Sequence, residues 1–151
     1  MNDIQNLTIK ETFDLAVQNH QNNKLNVAHD LYNQVLKIDP GNVSTLNNLG
    51  IIFKKLGEYQ KAKGCYEKAI AINPNYADAH NNLGGVFKEL REYQKAKECF
   101  EKALEIDPLN KLYMTTYGDT LIFLNDKFKG FDYIKKGQGV IKFTPSYSKI
   151  I

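Results

Sequence analysis

The chain has 151 residues, 42% of them hydrophobic, with 20 basic and 17 acidic side chains and a formal net charge of +3. That length suits one domain. The near balance of charge leaves no electrostatic footprint for nucleic acid or an anionic membrane surface, and no apolar run approaches the roughly 20 residues of a membrane-spanning helix.

The opening stretch, MNDIQNLTIKETF, has no basic segment followed by an apolar core, so no secretory signal is read there. Residues 1–8 read as a leader. Pro40, Pro74 and Pro108 are equally spaced, and the text between them repeats. From Leu46 it reads LNNLGIIFKKLGEYQKAKGCYEKAIAINP, and from His80 it reads HNNLGGVFKELREYQKAKECFEKALEIDP. A period of about 34 residues predicts stacked helical hairpins rather than one globular core.

Cys65 and Cys99 hold the same position in successive repeats, which puts them beyond disulfide reach. Unpaired thiols without an export signal point to a reducing, cytoplasmic setting. The sequons at Asn6-Leu7-Thr8 and Asn42-Val43-Ser44 are then chance matches.

The first repeat, 9–42, is loose: Leu15, Ala16, Ala28, Tyr32, Val35 and Pro40 fit, but Asn19 stands at an apolar position. That suits an outer repeat with less to cover. In the second, 43–76, Leu46, Leu49, Ile52, Phe53 and Leu56 form a helical stripe. Gly57 then ends that helix. Tyr59, Ala62, Tyr66, Ala69 and Ile70 make a second stripe, and Pro74 stops it. The third, 77–110, follows the same plan. Gly50, Gly84 and Gly118 recur where a large side chain would hold the two helices apart. The fourth, 111–144, is degenerate: Gly130 and Gly137 replace both alanines and Lys142 replaces the proline. Two glycines should cost that helix about 2 kcal/mol, so it is expected to be short, frayed or tilted. Asn23, Gly57 and Asn125 share one turn offset and tolerate positive φ, whereas Arg91 is the exception there.

The order Leu49, Gly50, Phe53, Ala62, Tyr66, Ala69, Pro74, repeated as Leu83, Gly84, Phe87, Ala96, Phe100, Ala103, Pro108, resembles the tetratricopeptide repeat. The resemblance implies an all-α, right-handed superhelix whose first helices line a concave groove. In that family the groove commonly holds an extended peptide or a partner helix. The expected groove residues are Asn47, Asn48, Ile51, Lys54 and Lys55, then Asn81, Asn82, Gly85, Lys88 and Glu89. Asn carries a donor and an acceptor at its tip, so it can hold a peptide backbone without reading side chains. Asn48 and Asn82 would form a two-rung ladder, similar to that in the repeat arms of O-linked N-acetylglucosamine transferases and kinesin light chains. Asp14 and Thr116 stop it on either side. Lys54 and Lys88 form a second stacked pair, with His20 at the equivalent place in the first repeat. They could attract an acidic peptide, or simply complement the helix dipole. Phe13 and Val17 stand where the family's chaperone-tail clamp needs Lys and Asn, so binding of Hsp70 or Hsp90 tails is not expected.

His20, His29 and His80 do not cluster, and no metal-ligand spacing, phosphate loop or nucleophile motif appears. The reading is a non-enzymatic, cofactor-free protein- or peptide-binding scaffold. Val140, Ile141, Phe143, Tyr147, Ile150 and Ile151 make an apolar end across the last repeat and the tail at 145–151. This end supports the alternative: a self-associating module, or the accessory arm of a longer transferase or oxygenase. Stability should be nearest-neighbour in kind, greatest over 43–110.

Overall fold

The computed structural model describes residues 7–139. Most of the leader, the end of the fourth repeat and the apolar tail lie outside them. Among the described residues there are eight helices and no strand: α1 (Ile9–Gln21), α2 (Leu25–Ile38), α3 (Val43–Lys55), α4 (Tyr59–Ile72), α5 (Ala77–Glu89), α6 (Tyr93–Ile106), α7 (Lys111–Phe123) and α8 (Lys127–Gln138). None of these is long and apolar enough to cross a membrane.

Local chemistry sets the helix ends. Thr8 opens α1 with a capping box, accepting from the Glu11 amide while the Glu11 carboxylate accepts from Thr8. Asn42 and Asn110 cap α3 and α7 by accepting amide protons of the first turn, which satisfies donors the helix cannot. Before each proline the chain turns extended, with φ of −126° at Asp39, −130° at Asn73 and −131° at Asp107, as a following pyrrolidine ring demands. Between paired helices, Asn23, Gly57, Arg91 and Asn125 all take positive φ, at 58°, 75°, 60° and 67°.

Helices pair as hairpins and the hairpins stack into a right-handed superhelix. Within repeats two and three, an aromatic ring of the second helix lies on a glycine of the first. A Cβ on Gly50 would meet Tyr66 Cε1 at 2.5 Å, and one on Gly84 would meet Phe100 Cε1 at 2.7 Å. Between repeats, α3 touches α5 and α5 touches α7, while no comparable contact joins α4 to α6. First helices therefore crowd the inside of the curve and second helices fan out on its outside.

The last hairpin differs from the expectation of a damaged helix. α8 has 12 residues against 14 in each other second helix, so it is shorter, yet both its glycines are buried contact points. A Cβ on Gly130 would meet the Gly118 carbonyl oxygen at 2.8 Å and Ile122 Cγ1 at 2.7 Å. A Cβ on Gly137 would collide with Thr115 Oγ1 and the Lys111 carbonyl. Here backbone meets backbone, so the helices approach more closely than alanine allows.

Substitutions at two of these positions test the backbone geometry. Helix propensity alone favours Gly130→Ala by about 1 kcal/mol, but the collision makes it destabilising by ~1–3 kcal/mol. A higher urea midpoint for that variant would contradict the close approach. Arg91→Gly relieves a left-handed backbone and should raise stability by about 1 kcal/mol, read from the same urea titration; a lower midpoint would contradict the strain.

Candidate functional site

The inner face is built from α3, α5 and α7, and its polar residues divide into two layers. Asn47 and Asn81 were expected on the groove surface but lie beneath it, at 5% and 8% exposure. Each accepts a hydrogen bond from the next repeat: Asn82 Nδ2 donates to Asn47 Oδ1 at 2.9 Å, and Thr116 Oγ1 donates to Asn81 Oδ1 at 2.9 Å. These buried bonds join neighbouring first helices. Thr116 therefore continues this seam one repeat beyond the asparagine pair.

Asn48 and Asn82 form the upper layer and are half-buried. Asn48 Nδ2 donates to the Tyr32 hydroxyl at 3.1 Å. The residues in the same register one repeat later are Asn82 and Tyr66. There the amide turns to Asn47 instead, leaving the buried Tyr66 hydroxyl without a partner. Each upper asparagine thus engages an amide N–H within the fold.

Ile51 is half-buried and packs on the central apolar cluster. Lys54 reaches across from α3 to α5: a Cβ on Gly85 would meet its Nζ at 2.7 Å. The missing side chain at Gly85 gives that ammonium its room. Lys55 Nζ donates to Asn23 Oδ1 at 3.4 Å. Lys88 Nζ lies 6.0 Å from the centre of the Phe123 ring. Glu89 is exposed at the end of α5.

Most ion pairs among the described residues lie on the second helices, although Lys37, Lys68, Lys127, Lys129 and Lys135 there have none. On the second helices Lys63, Lys97, Lys102 and Lys136 pair with a carboxylate of their own helix, and Lys61 and Lys95 pair with Glu58 and Glu92, the residues just before theirs. Among the described residues, Lys54, Lys55 and Lys88 have no such ion pair. Partial burial, and then the Lys55 charge, hold His20 below its ordinary pKa, so it sits neutral at the groove's N-terminal end.

Phe123 is a groove-side residue that sequence reasoning missed. It holds the repeat position of Lys55 and Glu89, so following their column into the degenerate repeat would have found it. Its ring stacks on Tyr93 with centroids 4.8 Å apart and planes 3° from parallel.

Nothing in the arrangement favours nucleophilic chemistry. Burial raises both thiols, Cys99 to about 11, which keeps them protonated at neutral pH. No group of three His, Cys, Asp or Glu side chains able to hold a metal occurs among the described residues.

The Tyr32 and Tyr66 hydroxyls make a matched pair for testing the seam. Tyr66→Phe removes an unpartnered buried hydroxyl and should be neutral or stabilising by up to ~1 kcal/mol, whereas Tyr32→Phe loses a bond and should cost about 1 kcal/mol. Phe100 fills the equivalent place in the next repeat. Thermal melts of the two variants that reversed this order would contradict the assigned bonding.

The tetratricopeptide repeat profile matches residues 43–108. No curated protein sequence matches the chain. Among solved structures, MamA superposes with a TM-score of 0.77 at 24% identity, over 87% of this chain and 77% of that one. PilF of Pseudomonas aeruginosa gives 0.78 at 23% identity, over 87% of this chain and 62% of that one. The first tetratricopeptide repeat domain of Spaghetti (RPAP3), bound to an HSP90 peptide, gives 0.74 at 21% identity, over 78% and 93%. At these identities the likeness to solved structures is one of fold. With the repeated sequence text and the ring-on-glycine hairpins, the matches identify residues 43–108 as tetratricopeptide repeats and the fold of the described residues as an all-α helical repeat.

Proposed function

We propose that this chain is a non-catalytic scaffold that binds an extended peptide segment of a partner protein in its concave groove. The residues assigned to contact the peptide are Asn48, Ile51, Lys54, Asn82, Gly85 and Lys88, with Asn47 and Asn81 holding the surface from below. One observation carries the reading. Asn48 and Asn82 each engage one amide N–H within the fold, which leaves their carbonyl oxygens to accept from a peptide N–H. The unpaired lysines beside them favour a segment that carries negative charge.

RPAP3's peptide comes from HSP90. The same ligand is not assigned here, because Phe13 and Val17 occupy the places where a Lys–Asn clamp on a terminal carboxylate would begin. A different acidic segment suits this groove better.

The second reading, a self-associating module or the accessory arm of a longer transferase or oxygenase, draws on α8 at the C-terminal end. Phe128 and Phe131 are 90% and 61% exposed there, a large apolar display for one short helix. The apolar residues 140–151 that first suggested it lie outside the described residues.

A pull-down from source-cell lysate, comparing wild type with Asn48→Ala/Asn82→Ala, separates the readings. The groove reading expects a partner that the double variant loses while its circular dichroism stays helical. Undiminished capture by the folded double variant contradicts it. Light scattering that shows a monomer at every concentration contradicts self-association.

A further inference from the structure

The turn between α5 and α6 breaks the rule of its neighbours. Asn23, Gly57 and Asn125 suit a left-handed backbone, but Arg91 adopts φ of 60° with a full side chain. Strain of this kind persists where something else selects the residue. Beside it is a depression of ≈ 390 Å³ lined by Arg91, Glu92, Tyr93, Gln94, Lys95 and Leu124. Tyr93 forms one wall, and its ring is held in place by the stack on Phe123. Phe123 remains 62% exposed, so this aromatic pair is ordered at the surface rather than consumed by the core. Lys88 lies over the Phe123 ring.

The charges around this depression have a definite bias. Glu92 is already paired with Lys95. Arg91 and Lys88 make no ion pair among the described residues. Across Lys88–Lys95 three cations face two acids. An apolar wall rimmed by unneutralised cations is complementary to an apolar side chain next to a carboxylate.

We propose that this rim, where repeats three and four meet the groove, is a second recognition site for a partner segment in which a large aromatic or aliphatic side chain stands beside Asp or Glu. The apolar side chain enters the depression against Tyr93 and Leu124, extending the aromatic stack. The neighbouring carboxylate meets Arg91 and Lys88. The proposal rests on the groove reading, since the same peptide leaves the asparagine pair and crosses this rim. It also accounts for Arg91: the residue sacrifices backbone ease for a charge at a binding edge.

The test is selection from a phage-displayed random dodecapeptide library on four immobilised proteins: wild type, Arg91→Gly, Phe123→Leu and Asn48→Ala/Asn82→Ala. Wild type should enrich peptides with an aromatic or large aliphatic residue adjacent to Asp or Glu. Recovery of those peptides should fall about tenfold on Arg91→Gly and on Phe123→Leu, although Arg91→Gly melts no lower than wild type. Stability retained with binding lost separates a recognition role from a structural one. Enriched peptides lacking the motif, or undiminished recovery on both rim variants, overturn the rim site. If the asparagine variant alone then loses them, the groove reading stands without it. No enrichment over a blank surface overturns both.

Discussion

The contact on which this structure depends is an apolar side chain of each second helix resting on a small residue of the first. Tyr66 covers Gly50, Phe100 covers Gly84, and Ile134 Cγ1 lies 2.8 Å from where a Gly118 Cβ would stand. In the first repeat Tyr32 and Ala16 are both fully buried in one cluster. Burying such a side chain contributes roughly 1.5–3 kcal/mol, and the small residue lets the helices come close enough to collect it. Each hairpin is closed by contacts between helices adjacent in the chain. The remaining apolar faces can then be covered only by the neighbouring hairpin, so the chain stacks instead of collapsing round a single core.

Stacking creates the groove and also fixes what it is made of. Contact between successive first helices brings polar side chains into a confined seam, where unbonded groups would be costly. Asn47 with Asn82, and Asn81 with Thr116, resolve this by bonding across the repeat boundary. The first of these bonds also holds Asn82 of the upper layer in place. A residue pair that joins successive repeats thereby also fixes part of the groove's polar surface. The second helices, spread apart on the outside, pair Lys63, Lys97 and Lys102 with carboxylates of their own helix and present no comparable concave line.

Much of this was legible in the sequence because the period is written in residues with few alternative uses. A proline closing each of the first three repeats, and a glycine at one fixed place in each of the later three, leave little choice of architecture. Three features were not legible. Asn47 and Asn48 are adjacent and identical, and only the packing of α3 on α5 shows that one lies under the surface and the other on it. Gly130 and Gly137 read as defects on propensity alone, because propensity carries no information about a facing backbone. Arg91 was visible as an exception, but its meaning depends on Tyr93 and Leu124 lining one depression with it and on Phe123 stacking on Tyr93, and those come from different repeats.

Nearest-neighbour closure has one consequence that separates it from a single cooperative core. An interior hairpin is supported on both sides and an outer hairpin on one. Native-state hydrogen exchange, followed amide by amide along residues 7–139, measures that difference directly. Protection is expected to be strongest in α3 to α6, declining through α1 and α2 in one direction and through α7 and α8 in the other. Uniform protection across all eight helices, lost in a single step with denaturant, would contradict it.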